Sequence, residues 1–510
     1  MKKRQIVNIV NFVRAVEPRL EMDLITPVKE QIRLMREHGL RGTFLIQYDA
    51  LLLDEYTELF RELDSEQFEL GLWYEIVEQQ VRACGIEWRG RYSWDWHTHC
   101  GFSVGYTAEE RERLADEAYR KFNEVFGYYP RVFGSWLFDT HTVRYISDKY
   151  GMDAMCNCKD QFGTDGYTLW GGYYGQGYYP SRSDVFVPAR TVESGMNVPL
   201  FRMLGSDPVY QYDLGIDVSC DAPRVQNVLT LEPACAEAGG NPEWIDWFLR
   251  ENFNGDCLSF GYAQAGQENS FGWQGMSAGL EYQFAAFERL QRGGLIEVEP
   301  LGDTGRWFKS HYTVTPASSI VAHDAYDDND RSSVWYSSRF YRVNIYCDHG
   351  RLRIRDLHAF SDTLRDEYEN KVCTENYACY ESLPYIDGSR YSGRGVLAGG
   401  YIIFSDGSEP ICDKMEFTDL GDGCAALNLG AVRITLSEDK IHIACDRPFT
   451  LENRIGIDGS HMWSCRSACS DRLELSYGET DYSIVLSKGK FISETVAESD
   501  GGTLELIINP

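Results

Sequence analysis

Along the first 310 residues, short unbroken apolar runs alternate with longer stretches whose apolar positions recur every three to four residues. Runs of the first kind predict buried strands, and stretches of the second predict amphipathic helices. IVNIVNFV (6–13), GTFLIQY (42–48) and FELGLW (68–73) read as strands. Between them, PVKEQIRLMREHG (27–39) and LLLDEYTELFRELD (51–64) read as helices, the first ending at Gly39, a residue suited to a helix C-cap. TAEERERLADEAYRKFNEVFG (107–127) predicts a third helix, with Thr107 as its cap, Glu110 completing a capping box and Gly127 ending it. Strands RVFGSW (131–136), DAMCN (153–157), VPLFRML (198–204), VLTLEP (228–233) and CLSFGYAQ (257–264) follow, interleaved with a helix to Tyr150 and helices over 242–252 and 276–294. Repeated βα units imply a parallel sheet with helices outside, and seven or eight strands favour an α/β barrel of (β/α)7 type over an open sheet. No Gly-x-Gly-x-x-Gly follows the first strand, which argues against a dinucleotide fold.

After about residue 310 the period changes to two. VWYSSRFYRVNIY (334–346), RLRIRDL (351–357), AVRITL (431–436), KIHIAC (440–445), RLELSY (472–477) and TLELII (503–508) are short alternating strands between turns, with no convincing helix. That is the pattern of an all-β antiparallel sandwich. Two domains are expected, 1–310 and 311–510. Ten of the twelve Trp precede residue 311, so the chemistry is expected in the first.

Charge narrows the partners. Seventy-eight acids against 49 bases give a net charge of −29, the wrong sign for nucleic acid or an anionic membrane. The densest acidic run, HDAYDDND (323–330), reads as a solvated linker. The N-terminus lacks the pattern of a signal peptide, and no run of 18 apolar residues occurs. The fifteen Cys are scattered and odd in number, as expected of reduced thiols, and the expected location is cytoplasmic. A homo-oligomer stays open.

The stretch from Trp94 to Trp170 interleaves aromatic rings with carboxylates, amides and imidazoles: WDWHTH (94–99), FGSW (133–136) and KDQFGTDGYTLW (159–170). Tyr and Trp pair a broad apolar face with one polar tip, the complement of a sugar's C–H face and hydroxyl rim. A carbohydrate partner is expected, although an aromatic core under glycine-rich loops would give the same composition. In parallel barrels the chemistry sits at the C-terminal strand ends. That rule selects Asp207, Glu232 and Glu268 as catalytic acids, with Glu232 and Asp207 the favoured pair. Asp207-Pro208 and Glu232-Pro233 could equally start turns. Glu75, Trp94, Asp95, His97, Trp136, Asp139, Asp160, Gln161, Tyr167, Trp170, Gln267 and Trp273 are the expected substrate-binding residues. No cofactor is expected. The Asp95-x-His97-x-His99 spacing leaves a divalent metal open, but a lone His-x-His is weak support.

GTFLI (42–46), FELGLW (68–73), residues 107–136 and HTVRYISDKYGMDA (141–154) resemble, in order, segments of the glycoside hydrolase/deacetylase superfamily, whose polysaccharide deacetylases form a distorted (β/α)7 barrel. The resemblance covers roughly residues 5–300. It implies an Asp-Asp pair after the first strand and His-x3-His after the third. Asn11-Phe12-Val13-Arg14 and Trp73-Tyr74-Glu75 stand there instead, so this is a divergent member lacking the deacetylase zinc triad. Members that cleave glycosides use strand-end carboxylates and often carry a trailing β-sandwich, which tilts the expected activity to a glycoside hydrolase acting on an oligosaccharide or small glycoside. A metal-dependent deacetylase and a non-catalytic carbohydrate-binding protein are the alternatives.

Overall fold

The computed structural model describes residues 3–210, 213–214, 216–220, 228–412, 414–457 and 462–509. Its first sheet is built from β1 (Gln5–Val13), β2 (Gly42–Ile46), β3 (Phe68–Trp73), β4 (Val132–Gly134), β5 (Ala154–Asn157), β9 (Leu200–Arg202) and β10 (Gly261–Ala265), in the order β10-β1-β2-β3-β4-β5-β9. All seven run parallel. β8 (Gly177–Tyr178) adds antiparallel to β9, and β11 (Glu297–Val298) pairs with β1. β9 and β10 do not pair, so the barrel is open at that seam. Among the described residues only an isolated bridge, Ser206 to Thr230, lies there. The strand expected over 228–233 is therefore not formed, because this segment finds a single bridge partner and no ladder.

Every residue of β1 and β2 is buried, as a parallel strand between helices and barrel interior requires. Helix Ala108–Phe126 forms with the capping box foreseen: Thr107 Oγ1 accepts from Glu110 N and the Glu110 carboxylate from Thr107 N, and Gly127 closes it at φ 82°. Helices Pro242–Asn252, Trp273–Arg292 and Leu301–His311 complete the outer layer.

From Ser318 onward the described residues form antiparallel sheets, one of nine strands and one of eight. One strand of this region returns to the barrel. Ala378–Glu381 pairs in parallel with β7 (Tyr167–Trp170), which forms a hairpin with β6 (Gln161–Thr164). The strap leading to it is tied along its length: Asp366 N donates to Ser183 O at 2.9 Å, Cys373 N to Val104 O at 2.8 Å, and Thr98 Oγ1 to Glu375 O at 3.1 Å. Cys347 and Cys412 form a disulfide, so the expectation of uniformly reduced thiols does not hold for this pair. Among the described residues no helix is long and apolar enough to cross a membrane.

Candidate functional site

The barrel strands release three short segments at their C-terminal ends around one cavity of about 490 Å³. That lies within the roughly 300–1,000 Å³ typical of small-molecule sites. β1 delivers Arg14, β3 delivers Glu75, and β10 delivers Glu268 after Gly266. Gly266 sits at φ 112°, and a Cβ there would lie 2.0 Å from Val10 O. Only glycine lets this loop lie so close to β1, and that approach carries Glu268 to Arg14.

Arg14 is the hub. Its Nη2 donates to Glu75 Oε2 at 3.0 Å and to Glu268 Oε2 at 2.7 Å, and its Nη1 lies 3.9 Å from Glu17. Trp73 Nε1 donates to the same Glu75 oxygen at 2.7 Å, and Ser270 Oγ to the other oxygen of Glu268. Glu75 is 2% exposed and Glu268 6%. Burial pushes the Glu75 carboxyl up to about 7, opposed by Arg14 and reinforced by Glu268. Burial raises Glu268 as well, against Arg14 and Ser270. Glu232 stands apart from this cluster, half-buried, and accepts from Thr230 Oγ1 at 3.0 Å and Gln267 Nε2 at 3.4 Å.

The Glu75 shift fixes a sign for stability. Its folded value lies above the ordinary 4.5, so the contribution of this group is complete below about 4.5 and is lost as pH rises through about 7. Thermal melts of Glu75→Gln are expected to be flatter over that window than those of the parent; an unchanged slope would contradict the assignment.

Of the residues expected to bind or act on substrate, Glu75, Trp94, Trp136, Gln161, Tyr167, Glu232 and Glu268 line the cavity. Gln267 supports it by holding Glu232. The others have separate duties. Asp207 is buried, accepts from Val209 N and Tyr210 N at 2.8 Å each and from Trp244 Nε1 at 3.0 Å, and pins a turn away from the cavity. Asp139 caps helix Thr140–Tyr150 and pairs with Arg111 at 2.9 Å. Asp160 is bound by Arg202 at 2.6 Å and by Arg342. Trp170 packs with Trp335 and donates to Asp387 at 2.8 Å. Trp273 opens a helix and packs half-buried on the core. Asp95 accepts from His97 Nδ1 and from Arg91 N, so this pair braces its own loop.

Trp94 lines the cavity, but its ring is engaged by cations: Arg14 lies 4.0 Å and Arg19 5.2 Å from its centroid. Trp136 and Tyr167 also line the cavity, packed edge-on against Phe12, Trp73 and Phe102, while Phe271 is exposed at its mouth. Trp96 lines the cavity beside Trp94; Arg14, Arg19, Lys159 and Phe271 line it too and were missed from the sequence, the three cations because the strand-end rule had been applied to acids alone.

The donor set does not fit a divalent metal at the strand ends, because a guanidinium nitrogen stands between the two carboxylates that would ligate it. Nor do Asp95, His97 and His99 bring three ligand atoms together. Among the described residues, the group that does is Asp328, Asp330 and His349, around a hairpin of the all-β region.

No family model matches the chain, and no curated protein matches it. Solved structures do. A Parabacteroides distasonis chain described as a glycoside hydrolase/deacetylase aligns with a TM-score of 0.54 at 13% identity, over 75% of this chain and 91% of its own. This chain shares its fold with that protein. Polysaccharide deacetylases from Mycobacterium smegmatis and Pseudomonas aeruginosa PAO1 align at 14% and 13% identity with TM-scores of 0.37 and 0.35. Each covers 61% of this chain, and 92% and 93% of its own length respectively. In this chain the ends of β1, β3 and β10 carry one arginine and two glutamates.

Proposed function

We propose that the chain is a carbohydrate hydrolase that cleaves a glycosidic bond in the strand-end cavity. The observation that carries this reading is the convergence of Glu75, Glu232 and Glu268, from three separate segments, on one aromatic-walled cavity. Glycoside hydrolysis needs one carboxyl that holds a proton and a second that attacks the anomeric carbon or activates water. Glu75 suits the first role, because burial keeps it protonated toward neutral pH. It would give its proton to the leaving oxygen as the C–O bond breaks. Glu232 suits the second, being more open and held by neutral donors alone.

Arg14 Nη2 fills the gap between Glu75 and Glu268, so a glycosidic oxygen has no room between those two. Glu268 is therefore assigned to fixing Arg14 and gripping a hydroxyl. Asp207, first paired with Glu232, has no part in this assignment, because its oxygens are taken up in a turn. The neighbour's description covers glycoside hydrolysis and deacetylation alike, and supports a carbohydrate substrate for this chain. The strand-end donor set favours the first chemistry over a metal-dependent second.

A panel of aryl glycosides and acetylated sugars, assayed with and without a chelator, tests the reading. Glycoside cleavage that ignores the chelator is expected. Chelator-sensitive acetate release would overturn the proposal, and tight sugar binding without turnover would leave a binding protein.

A further inference from the structure

One wall of the cavity carries donors that the proposed hydrolysis does not use. Beyond β5 the chain continues extended through Lys159, Asp160 and Gln161 into β6. Asp160 turns away into its ion pairs with Arg202 and Arg342, while Lys159 and Gln161 line the cavity. This is the alternation of an extended segment.

Lys159 is 9% exposed and makes no ion pair or side-chain hydrogen bond among the described residues. Gln161 is 5% exposed, and its Nε2 has no acceptor. Buried lysines are almost always paired, and a buried amide hydrogen without an acceptor is costly. Nearby, Arg14 Nη1 and Trp94 Nε1 also lack hydrogen-bond acceptors. A fold that leaves such donors together in one cavity is complementary to something that brings acceptors and negative charge.

We infer that the cavity takes a saccharide carrying an anionic substituent, a carboxylate or a sulfate ester, seated on Lys159 Nζ and Gln161 Nε2. The inference rests on the hydrolase reading for the sugar and on these two residues for the charge. Glu75, Glu232, Glu268 and Asp165 line the same cavity and repel anions in general. Arg14 and Arg19 line it too, but they are paired with Glu75, Glu268 and Glu17, so the charged substituent is directed toward residues 159 and 161, with the neutral hydroxyls facing the glutamates. Recognition of this kind orients the ring as well as selecting it.

Calorimetric titration of the full chain with glucuronate, galacturonate, glucose 6-sulfate, glucose and galactose tests the inference. At least one anionic sugar is expected to bind about 10–100-fold more tightly than its neutral parent. That excess should weaken with added salt. The carboxylate and sulfate arms identify the substituent. Lys159→Met should erase the excess over the neutral parent, and Lys159→Arg should retain most of it. If Lys159→Met does not fold, Gln161→Leu is expected to reduce the excess alone. Equal affinity for charged and neutral sugars, or an excess that survives both Lys159→Met and Gln161→Leu, overturns the inference. The two readings fail separately. An anionic sugar that binds selectively yet is never cleaved as a glycoside sinks the hydrolysis and leaves this site. Neutral glycosides bound and cleaved as well as anionic ones sink this site and leave the hydrolysis.

Discussion

Glu232→Gln is expected to lower kcat by roughly 10²–10⁴-fold while moving KM by only a few-fold. The amide keeps the shape of the side chain and its contact with Thr230, and removes the negative charge needed at the anomeric centre. Gln267 was held to Glu232 by donating its Nε2, and an amide oxygen can still accept that bond. The fold should therefore be undisturbed, and an unchanged melting temperature is part of the expected result. The companion variant Asp207→Asn separates the sequence-based pair from the revised one. Asp207 holds a buried turn, so its loss should show in stability and leave kcat of the folded fraction nearly intact. Turnover of Glu232→Gln at the parental rate would remove Glu232 from the mechanism.

Arg14→Met carries the second large effect, on stability. The guanidinium is buried, its Nη2 serves two carboxylates that are themselves almost fully buried, and Glu17 lies beside it. Removing one member of a buried ion cluster leaves the others uncompensated, at a cost of about 3–5 kcal/mol. Part of that cost is avoided if a carboxylate takes up a proton, which Glu75 does most readily because burial already holds it near neutrality. The destabilisation should therefore shrink as pH falls from 7 toward 5, and the double variant Arg14→Met/Glu268→Gln should recover part of it. Urea denaturation at the two pH values measures both. A loss below about 1 kcal/mol at neutral pH would show that the cluster is far better solvated than its burial indicates.

The backbone plan was legible where one local signal agreed with the next. Helix Ala108–Phe126 announced itself through Thr107, Glu110 and Gly127, and β1 and β3 through unbroken apolar runs. VLTLEP looked like a strand because its residues suit one, but pairing needs a neighbour, and the open seam between β9 and β10 supplies only one bridge. The Cys347–Cys412 pair is separated by 65 residues and has no local signature. For the site, the strand-end rule led to Glu75 and Glu268, which line the cavity, because strand ends are set by the backbone plan, while Glu232 reaches the same cavity from a segment that forms no strand. It failed to separate them from Asp207 and Asp160, since a side chain's direction beyond a strand depends on partners such as Trp244 and Arg202 that are distant in sequence. Arg14 was plainly visible one residue past β1. It was noted only for standing where an Asp pair was implied, and was given no role, because a cation there has none in hydrolysis by paired carboxylates until the acids around it are known.

The strap that pairs Ala378–Glu381 with β7 also ties down the loop bearing Thr98 and Val104. The strand that carries Tyr167 into the cavity is thus backed by residues some two hundred positions downstream. Such an architecture resists recombination: a gene fragment ending where the last barrel helix ends would encode a sheet edge without its neighbour behind one wall of the cavity. The β-rich half is in this sense an heirloom that the barrel cannot exchange for another appendage, and its lineage and the barrel's should be traceable as one.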